Sequence, residues 1–523
     1  MMHLFWIHSS ILSGIVYASV HAHVLDEAGE CERGIIKRIE WKEEKARSGA
    51  TVTTIFQELS SRNLKCPVIV NGNKLLETKP VRKWASFEYL ERKCKASSVV
   101  DVKSEEDGTF TYYDKNTAYA KRASPGDIGA HESLQLESWE FLDVLRNGPL
   151  LNASVHRFAR FGGKLSQSPC TGLARDAAED YALPPGDGAE LGASRQGSRP
   201  TRAQGSPSIW IASPGAGSSF HFDLFDNLYA PVVGTKQVAL AEPTARVIRA
   251  LAPFPGTHPH ARQAQYRSAL SGCAALDPSA GLAEQETEQA APANSAEEVC
   301  ESGLGDPVAG AVLAGQIAVV HLAPGEALWI PSGWFHELRG DEHSGAAAKG
   351  GGGFTLSLSL TANAPELSIF NRWLTSREGA FALPSHGGPF TVRRLGALLL
   401  VYLPSLLRQV DLEGDGLGGE RGQGGAEWAL GLLAKGSYSP AVRAHLGLED
   451  TASSPFPCDS LHGSLLPGDE EWAQAAAAAA AHRFREEFRP HMRRLFIQPF
   501  LETVLSKMGG QFSTGLRFID SCF

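Results

Sequence analysis

The spacing of apolar residues divides the chain into stretches of different texture. Within residues 23–150, VTTIFQELSSRN places apolar side chains three and four apart and predicts an amphipathic helix. CPVIVNG is a short unbroken apolar run and predicts a buried strand; SWEFLDVLRNG returns to helical spacing and stops at Gly148. That mixture predicts an N-terminal α/β region. Residues 151–205 read as a low-complexity linker, because from about 171 onward Ala, Gly, Pro, Asp and Ser replace any period.

A second texture fills residues 206–364. SIWIAS, NLYAPVVG, KQVALAE, IAVVHL, ALWIPS and FTLSLSLT are short runs of strand composition, and each predicts a strand. An Ala- and Glu-rich excursion near 272–312 interrupts them and reads as a disordered insert. From 365 to 523 the composition turns helical, in FTVRRLGALLLVYLPSLLRQV, GAEWALGLLAKG and EEWAQAAAAAAAHRFREEFRPHMRRLFIQPFLETVLSKM. Pro404 is expected to break the first of these. The basic cluster in HRFREEFRPHMRRLF interleaves with Glu486 and Glu487, which predicts a solvated helix face.

Composition narrows the function classes. A chain of 523 residues holds two to four folded units at roughly 100–200 residues each. A net charge of −9 and a pI near 6.0 argue against nucleic acid as the dominant partner. The eight cysteines contain no C-x-x-C pair, which speaks against a zinc ribbon or a dithiol redox motif and leaves disulfides open. The apolar start ends in Val20-His21-Ala22, small residues at −3 and −1, so residues 1–22 read as a signal peptide. The sequon Asn152-Ala153-Ser154 agrees with an ER route. The expected location is therefore the secretory pathway or ER lumen; the absence of Lys or Arg before the apolar run keeps an organellar or cytoplasmic location open. The run Leu395 to Leu407 is too short to span a bilayer, so no transmembrane segment is expected.

The chemistry concentrates in two blocks. In FHFDLFDNLYAPVVGTKQ, His221 and Asp223 stand two apart, so a strand would aim both from one face. With 17 histidines and 58 acidic residues, about two such triplets arise by chance, so context must carry the signal. Here the triplet opens a strand pair that turns at Gly234-Thr235, and Lys236 begins the return strand, where it can point inward. In APGEALWIPSGWFHELRG, His336 follows a Pro-Ser-Gly turn and enters another strand. Alone it reads more readily as a core histidine packed on Trp334. Together, two imidazoles and one carboxylate make a facial set with open positions, which suits Fe(II) binding a bidentate co-substrate and O2. Gly414, Gly416 and Gly419 satisfy G-x-G-x-x-G but lack the flanking strand and helix, and no P-loop sequence occurs.

FHFDLFDNLYAPVVGTKQVALAEP, APGEALWIPSGWFHEL and GGFTLSLSLT resemble the JmjC/cupin-8 class of Fe(II)- and 2-oxoglutarate-dependent oxygenases over roughly residues 50 to 365. LAPFPGTHPHARQAQYRSAL further resembles the asparaginyl hydroxylase that acts on hypoxia-inducible factor. The resemblance implies a mainly β fold, a double-stranded β-helix or jelly roll, flanked by the N-terminal α/β and C-terminal helical regions. It implies that His221, Asp223 and His336 hold Fe(II), and that 2-oxoglutarate and O2 are co-substrates. Lys236 would pair with the far carboxylate of 2-oxoglutarate, with Ser218, Asn227 and Ser359 around it. Arg262 and Gln263 would contact a protein or peptide substrate, while a solvated polar loop explains them nearly as well. Trp329, Trp334 and Phe335 would keep the pocket dry, or simply fill a core. The implied activity is hydroxylation of a protein side chain. Lysine demethylation, tRNA hydroxylation, a metal cupin without 2-oxoglutarate and a noncatalytic metal-binding cupin are the alternatives, and a homodimer through C-terminal helices is a further implication.

Overall fold

The computed structural model describes residues 36–40, 52–61, 64–71, 83–94, 99–103, 108–112, 133–147, 160–164, 206–251, 260–264, 316–341, 353–364, 401–409, 467–489 and 491–496. It also describes 170, 172–173, 176–177, 253–254, 366–367 and 369–370. Residues 1–22, read as a signal peptide, the sequon at Asn152, the insert near 272–312, GAEWALGLLAKG and the glycine run at 414–419 lie outside them.

The N-terminal elements are β1 (Lys37–Glu40), α1 (Val52–Ser61), β2 (Val68–Asn71), α2 (Phe87–Lys93), β3 (Val99–Lys103), β4 (Thr109–Phe110), β5 (Ser133–Glu137), α3 (Ser138–Asn147) and β6 (Arg160–Lys164). Next come β7 (Ser206–Ala212), β8 (Gly217–Ser218), β9 (His221–Phe222), β10 (Phe225–Val233), β11 (Lys236–Ala241), α4 (Ala245–Leu251), β12 (Ile317–Leu322), β13 (Ala327–Ile330), β14 (Phe335–Gly340) and β15 (Thr355–Asn363). Beyond the last strand, the described residues include α5 (Leu403–Gln409) and α6 (Pro467–Glu487). All six runs read as strands in residues 206–364 contain one.

Two sheets form the body. The larger has the order β1-β2-β13-β10-β15-β7-β6; the smaller runs β12-β11-β14-β8-β4, with β9 beside β14. This is a β-dominant jelly roll of cupin type. Strand alternation sorts the side chains between two environments. Leu356, Leu358 and Leu360 of β15 join Leu228 and Ala230 of β10 in a core shared with Ile55, Phe56 and Leu59 of α1 and with the buried faces of α2 and α3. Each large apolar side chain buried there contributes about 1.5–3 kcal/mol. On the opposite face, Tyr229, Leu328 and Ile330 of the larger sheet meet Val238, Leu240 and Leu322 of the smaller one. Ser357 lies on that inner face too, where its hydroxyl accepts from Tyr229 Oη at 2.7 Å. FTLSLSLT therefore turns its leucines to the helices and its hydroxyls into the barrel.

The sheets draw on more of the chain than residues 206–364. β1, β2 and β4 come from the N-terminal region, and β2 pairs antiparallel with β13 from Trp329↔Val68 to Ala327↔Val70. β6 and the short helical pieces at 172–173 and 176–177 fall inside the segment read as a linker, and there the reading is corrected: the local sequence RFGGK lacks a strand period, but pairing with β7 supplies its hydrogen bonds. Cys170 forms a disulfide with Cys94 at the end of α2, and Cys66 is also disulfide-bonded. Nearby, Asp176 accepts from Tyr89 Oη and from Lys93 Nζ.

Beyond the barrel, Pro404 does not break the helical backbone: Val401 and Tyr402 before it are π-helical and α5 continues from Leu403 to Gln409. α6 ends at Glu487, and residues 491–496 are again helical. The basic cluster there is not a solvated face throughout: Arg489, His491 and Arg494 are buried, because carboxylate and carbonyl partners lie against them. No helix among the described residues is long and apolar enough to cross a membrane.

Candidate metal centre

Backbone register brings the histidines together. β9 pairs with β14 so that His221 stands directly opposite His336, and β14 pairs on its other edge with β11, placing His336 opposite Leu240 of the barrel interior. Asp223 follows β9 by one residue. The turn before β14 closes against it, as the Gly333 N–H donates to the Asp223 carbonyl at 2.7 Å. Gly333 has φ +87°, a conformation a side chain strains to adopt.

The three side chains converge. Their ligand atoms all lie within 4.8 Å of one another. Asp223 Oδ2 is 3.6 Å from His336 Nε2 and 4.0 Å from His221 Nε2, and the two rings are 4.3 Å apart. Each ring is oriented by its other nitrogen. Nδ1 of His221 lies 2.7 Å from the Ser219 carbonyl, and Nδ1 of His336 lies 2.9 Å from the Trp334 carbonyl. A carbonyl only accepts, so each Nδ1 carries the proton and each Nε2 offers its lone pair to the shared point. That is the donor arrangement a metal ion needs.

Electrostatics favour the same states. Burial, and then the neighbouring His336, push His221 down to about 4, so its ring is neutral at physiological pH. Burial alone would raise the Asp223 carboxyl, but the neighbouring His336, His221 and Arg262 together hold it below the usual carboxylate range. Arg262 Nη1 stands 3.9 Å from Asp223 Oδ1, which leaves Oδ2 facing the histidines. Two imidazoles and one carboxylate form the facial set that octahedral Fe(II) sites use, and the residues present fit such an ion.

The barrel interior beside the triad is cationic and hydroxylated. Lys236 is buried and donates from Nζ to Thr355 Oγ1 at 2.7 Å. It lies opposite Gly340, where an added Cβ would come within 3.3 Å of Nζ. Arg160 of β6 stacks on Trp210 at 4.7 Å and on Phe110 at 5.5 Å, and donates to the Gly217 carbonyl at 3.4 Å. Among the described residues neither cation has a carboxylate partner. Burial, then repulsion from Arg160, lowers the Lys236 amine to about 7; burial lowers the Arg160 guanidinium to about 10, though its side chain keeps partial contact with solvent.

The other expected residues divide. Asn227 and Ser359 are buried on the inner face, and Asn227 Oδ1 has no hydrogen-bond donor among the described residues. Ser218 Oγ accepts from Leu338 N at 3.2 Å, while Thr355, rather than Ser218, holds Lys236. Arg262 is partly exposed at the triad, with φ +71°. Gln263 is buried, and its amide engages both backbone groups of Tyr112 and the Ser219 hydroxyl, so it clamps its segment across β9 rather than facing outward. Of the aromatic residues, only Trp334 joins the cluster between the sheets. Trp329 packs on Phe56 under α1, and Phe335 lies between Phe220 and Phe222 behind the smaller sheet, since odd and even positions of a strand face opposite ways. Sequence reasoning missed Thr355 and Arg160. The alternation of FTLSLSLT pointed to Thr355, whereas nothing in RFGGK marks Arg160.

A jelly roll that carries a His-x-Asp and a distant His on facing strands of its interior is a cupin-type metal-site architecture. The chain belongs to the cupin-like domain family, JmjC-type, which it matches over residues 53–358. A search among curated proteins found no match. Among solved structures, the X-ray structure of E. coli ycfD is similar at 15% identity, covering 63% of this chain and 59% of that one, with a TM-score of 0.25. This chain thus spans less than two thirds of that protein's length, and so low a score carries no argument.

Proposed function

We propose that this protein is an Fe(II)- and 2-oxoglutarate-dependent dioxygenase that hydroxylates a protein side chain. The observation that carries the reading is the juxtaposition, inside one barrel, of the His221–Asp223–His336 group with two cations, Lys236 and Arg160, that have no carboxylate partner among the described residues. A lone metal site would need no such charge; a dicarboxylate co-substrate does. His221, Asp223 and His336 would hold the iron, which with 2-oxoglutarate and O2 would supply the oxidising chemistry: one atom of O2 would end in succinate, with loss of CO2, and the other in a substrate C–H bond. The chain's own part is to bind and orient. Lys236, steadied by Thr355, anchors the far carboxylate, and Arg160 adds a second positive charge in the low-dielectric interior, where such attraction is strong. Asn227 Oδ1 awaits a donor from a ligand or a water. Trp334 and the apolar residues between the sheets exclude bulk water.

A polypeptide would approach over Arg262 and the exposed Tyr112 side chain, which are joined through Gln263. Kinship to the asparaginyl hydroxylase of hypoxia-inducible factor, a homodimer through the C-terminal helices and a place in the secretory pathway belong to the same proposal. The Cys94–Cys170 disulfide favours the last, since disulfides persist in oxidising compartments. The test is aerobic incubation with Fe(II), 2-oxoglutarate and a peptide library. Wild type should form succinate in step with a peptide gaining one oxygen, and Lys236→Met should lose most of that turnover at limiting 2-oxoglutarate. Peptide oxidation that needs no 2-oxoglutarate, or none at all, would overturn it.

A further inference from the structure

Arg489, far along the chain from every motif residue, is buried beneath the metal centre. Its guanidinium makes a two-pronged pair with Glu366, Nε to Oε1 at 2.6 Å and Nη2 to Oε2 at 3.0 Å, and Nη2 also donates to Ser332 Oγ at 2.6 Å. Nη1 faces Asp226 Oδ1 at 3.8 Å. Asp226 in turn accepts from the Ser332 N–H at 2.8 Å, and His491 Nε2 lies 3.2 Å from the Ser332 carbonyl, to which it donates. Met492 and Leu495 press on the same turn so closely that a Cβ on Gly333 would meet Met492 Sδ at 2.6 Å and Leu495 Cδ1 at 2.7 Å.

That turn is the piece of backbone that sets the ligands. Gly333 holds the Asp223 carbonyl, and three residues later the chain presents His336. Asp226 lies three residues beyond Asp223, at the start of β10. One guanidinium therefore ties together the connection after Asp223, the turn before His336 and Glu366 beyond β15. Each tie is buried, so none is exchanged for water.

We infer that Arg489 is a positioning residue for the metal ligands, and that Arg489, His491, Met492 and Leu495 form the back wall of the centre. This rests on the reading of the His221–Asp223–His336 group as a metal site. Partners that orient ligands from behind typically change metal affinity by 10–100-fold when removed. Lysine keeps the charge but cannot reproduce a planar fork with three acceptors, so Arg489→Lys should fail to restore the site.

The experiment is titration of metal-free full-length protein with Co(II), reading both affinity and the visible d–d band. The variants are Arg489→Lys, Arg489→Met and Ser332→Ala, with Asp176→Asn as a variant that breaks a buried polar pair against α2 instead. Near-UV circular dichroism at the titration temperature selects variants with native packing; if Arg489→Met is not among them, Arg489→Lys and Ser332→Ala decide. The expected result is about tenfold or greater weakening and a changed band for Arg489→Lys and Ser332→Ala, with Asp176→Asn at wild-type values. Natively packed Arg489→Lys with wild-type affinity and band, or equal weakening by Asp176→Asn, would overturn the inference while leaving the metal site standing. Failure of wild type to bind Co(II) would remove the metal reading, and the inference with it.

Discussion

Two backbone carbonyls decide which nitrogen each histidine turns toward the barrel. Because the Ser219 and Trp334 oxygens occupy the Nδ1 positions, both Nε2 lone pairs are committed to one point before any ion arrives. His221→Ala or His336→Ala removes one of three donors, and isothermal titration should show Mn(II) binding weakened by at least 100-fold. The Lys236 amine gives a pH dependence. Its folded-state pKa, lowered to about 7, lies below the value near 10.4 of an unfolded lysine. Between those values the unfolded chain binds the extra proton, so the ligand-free fold gains stability as pH rises from about 7 toward 10, and the burial penalty is fully present below 7. Binding an anion needs the ammonium form. Affinity for 2-oxoglutarate, measured anaerobically by calorimetry, should be level below about pH 7 and fall by up to tenfold per unit above it; Lys236→Met should bind weakly with no such slope.

β15 shows how one element serves two purposes. Its leucines anchor the helical layer and its Ser and Thr residues line the interior, so the faces are separable by mutation. Leu358→Ala should cost about 2–5 kcal/mol in chemical denaturation, a core-cavity cost, while leaving Mn(II) affinity unchanged. This division was legible in the letters FTLSLSLT, as were α1, β2, α3 and the strand pair carrying His221, Asp223 and Lys236, because period-2 and helical patterns are local. β6 was not legible. Its residues take strand form through β7, and Gly162 is there because a Cβ would lie 2.0 Å from the Trp210 ring that supports Arg160. The buried role of Arg489 was hidden for a similar reason: its carboxylate and hydroxyl partners stand 123 and 157 residues away, beyond the reach of any window.

At the scale of the molecule, the two sheets are completed by strands from before residue 165, and the metal centre is backed by residues after 488. A barrel cut at the limits of its motif blocks would lose β1, β2, β4 and β6 and the Arg489 network at once. The disulfide from Cys94 to Cys170 closes a separation of 76 residues on the helical side. Replacing both by serine should lower stability by about 2–4 kcal/mol in urea under oxidising conditions, and the difference should vanish when wild type is reduced. On the proposed function, one ion with open positions sits among His221, Asp223 and His336 and shares the barrel with a keto acid held by Lys236. Anaerobic addition of Fe(II) and then 2-oxoglutarate to purified protein, followed by visible absorption, tests this at once. A weak charge-transfer band should appear that requires both additions and disappears in His221→Ala; no band in wild type, or an undiminished band in that variant, would refute the proposed site.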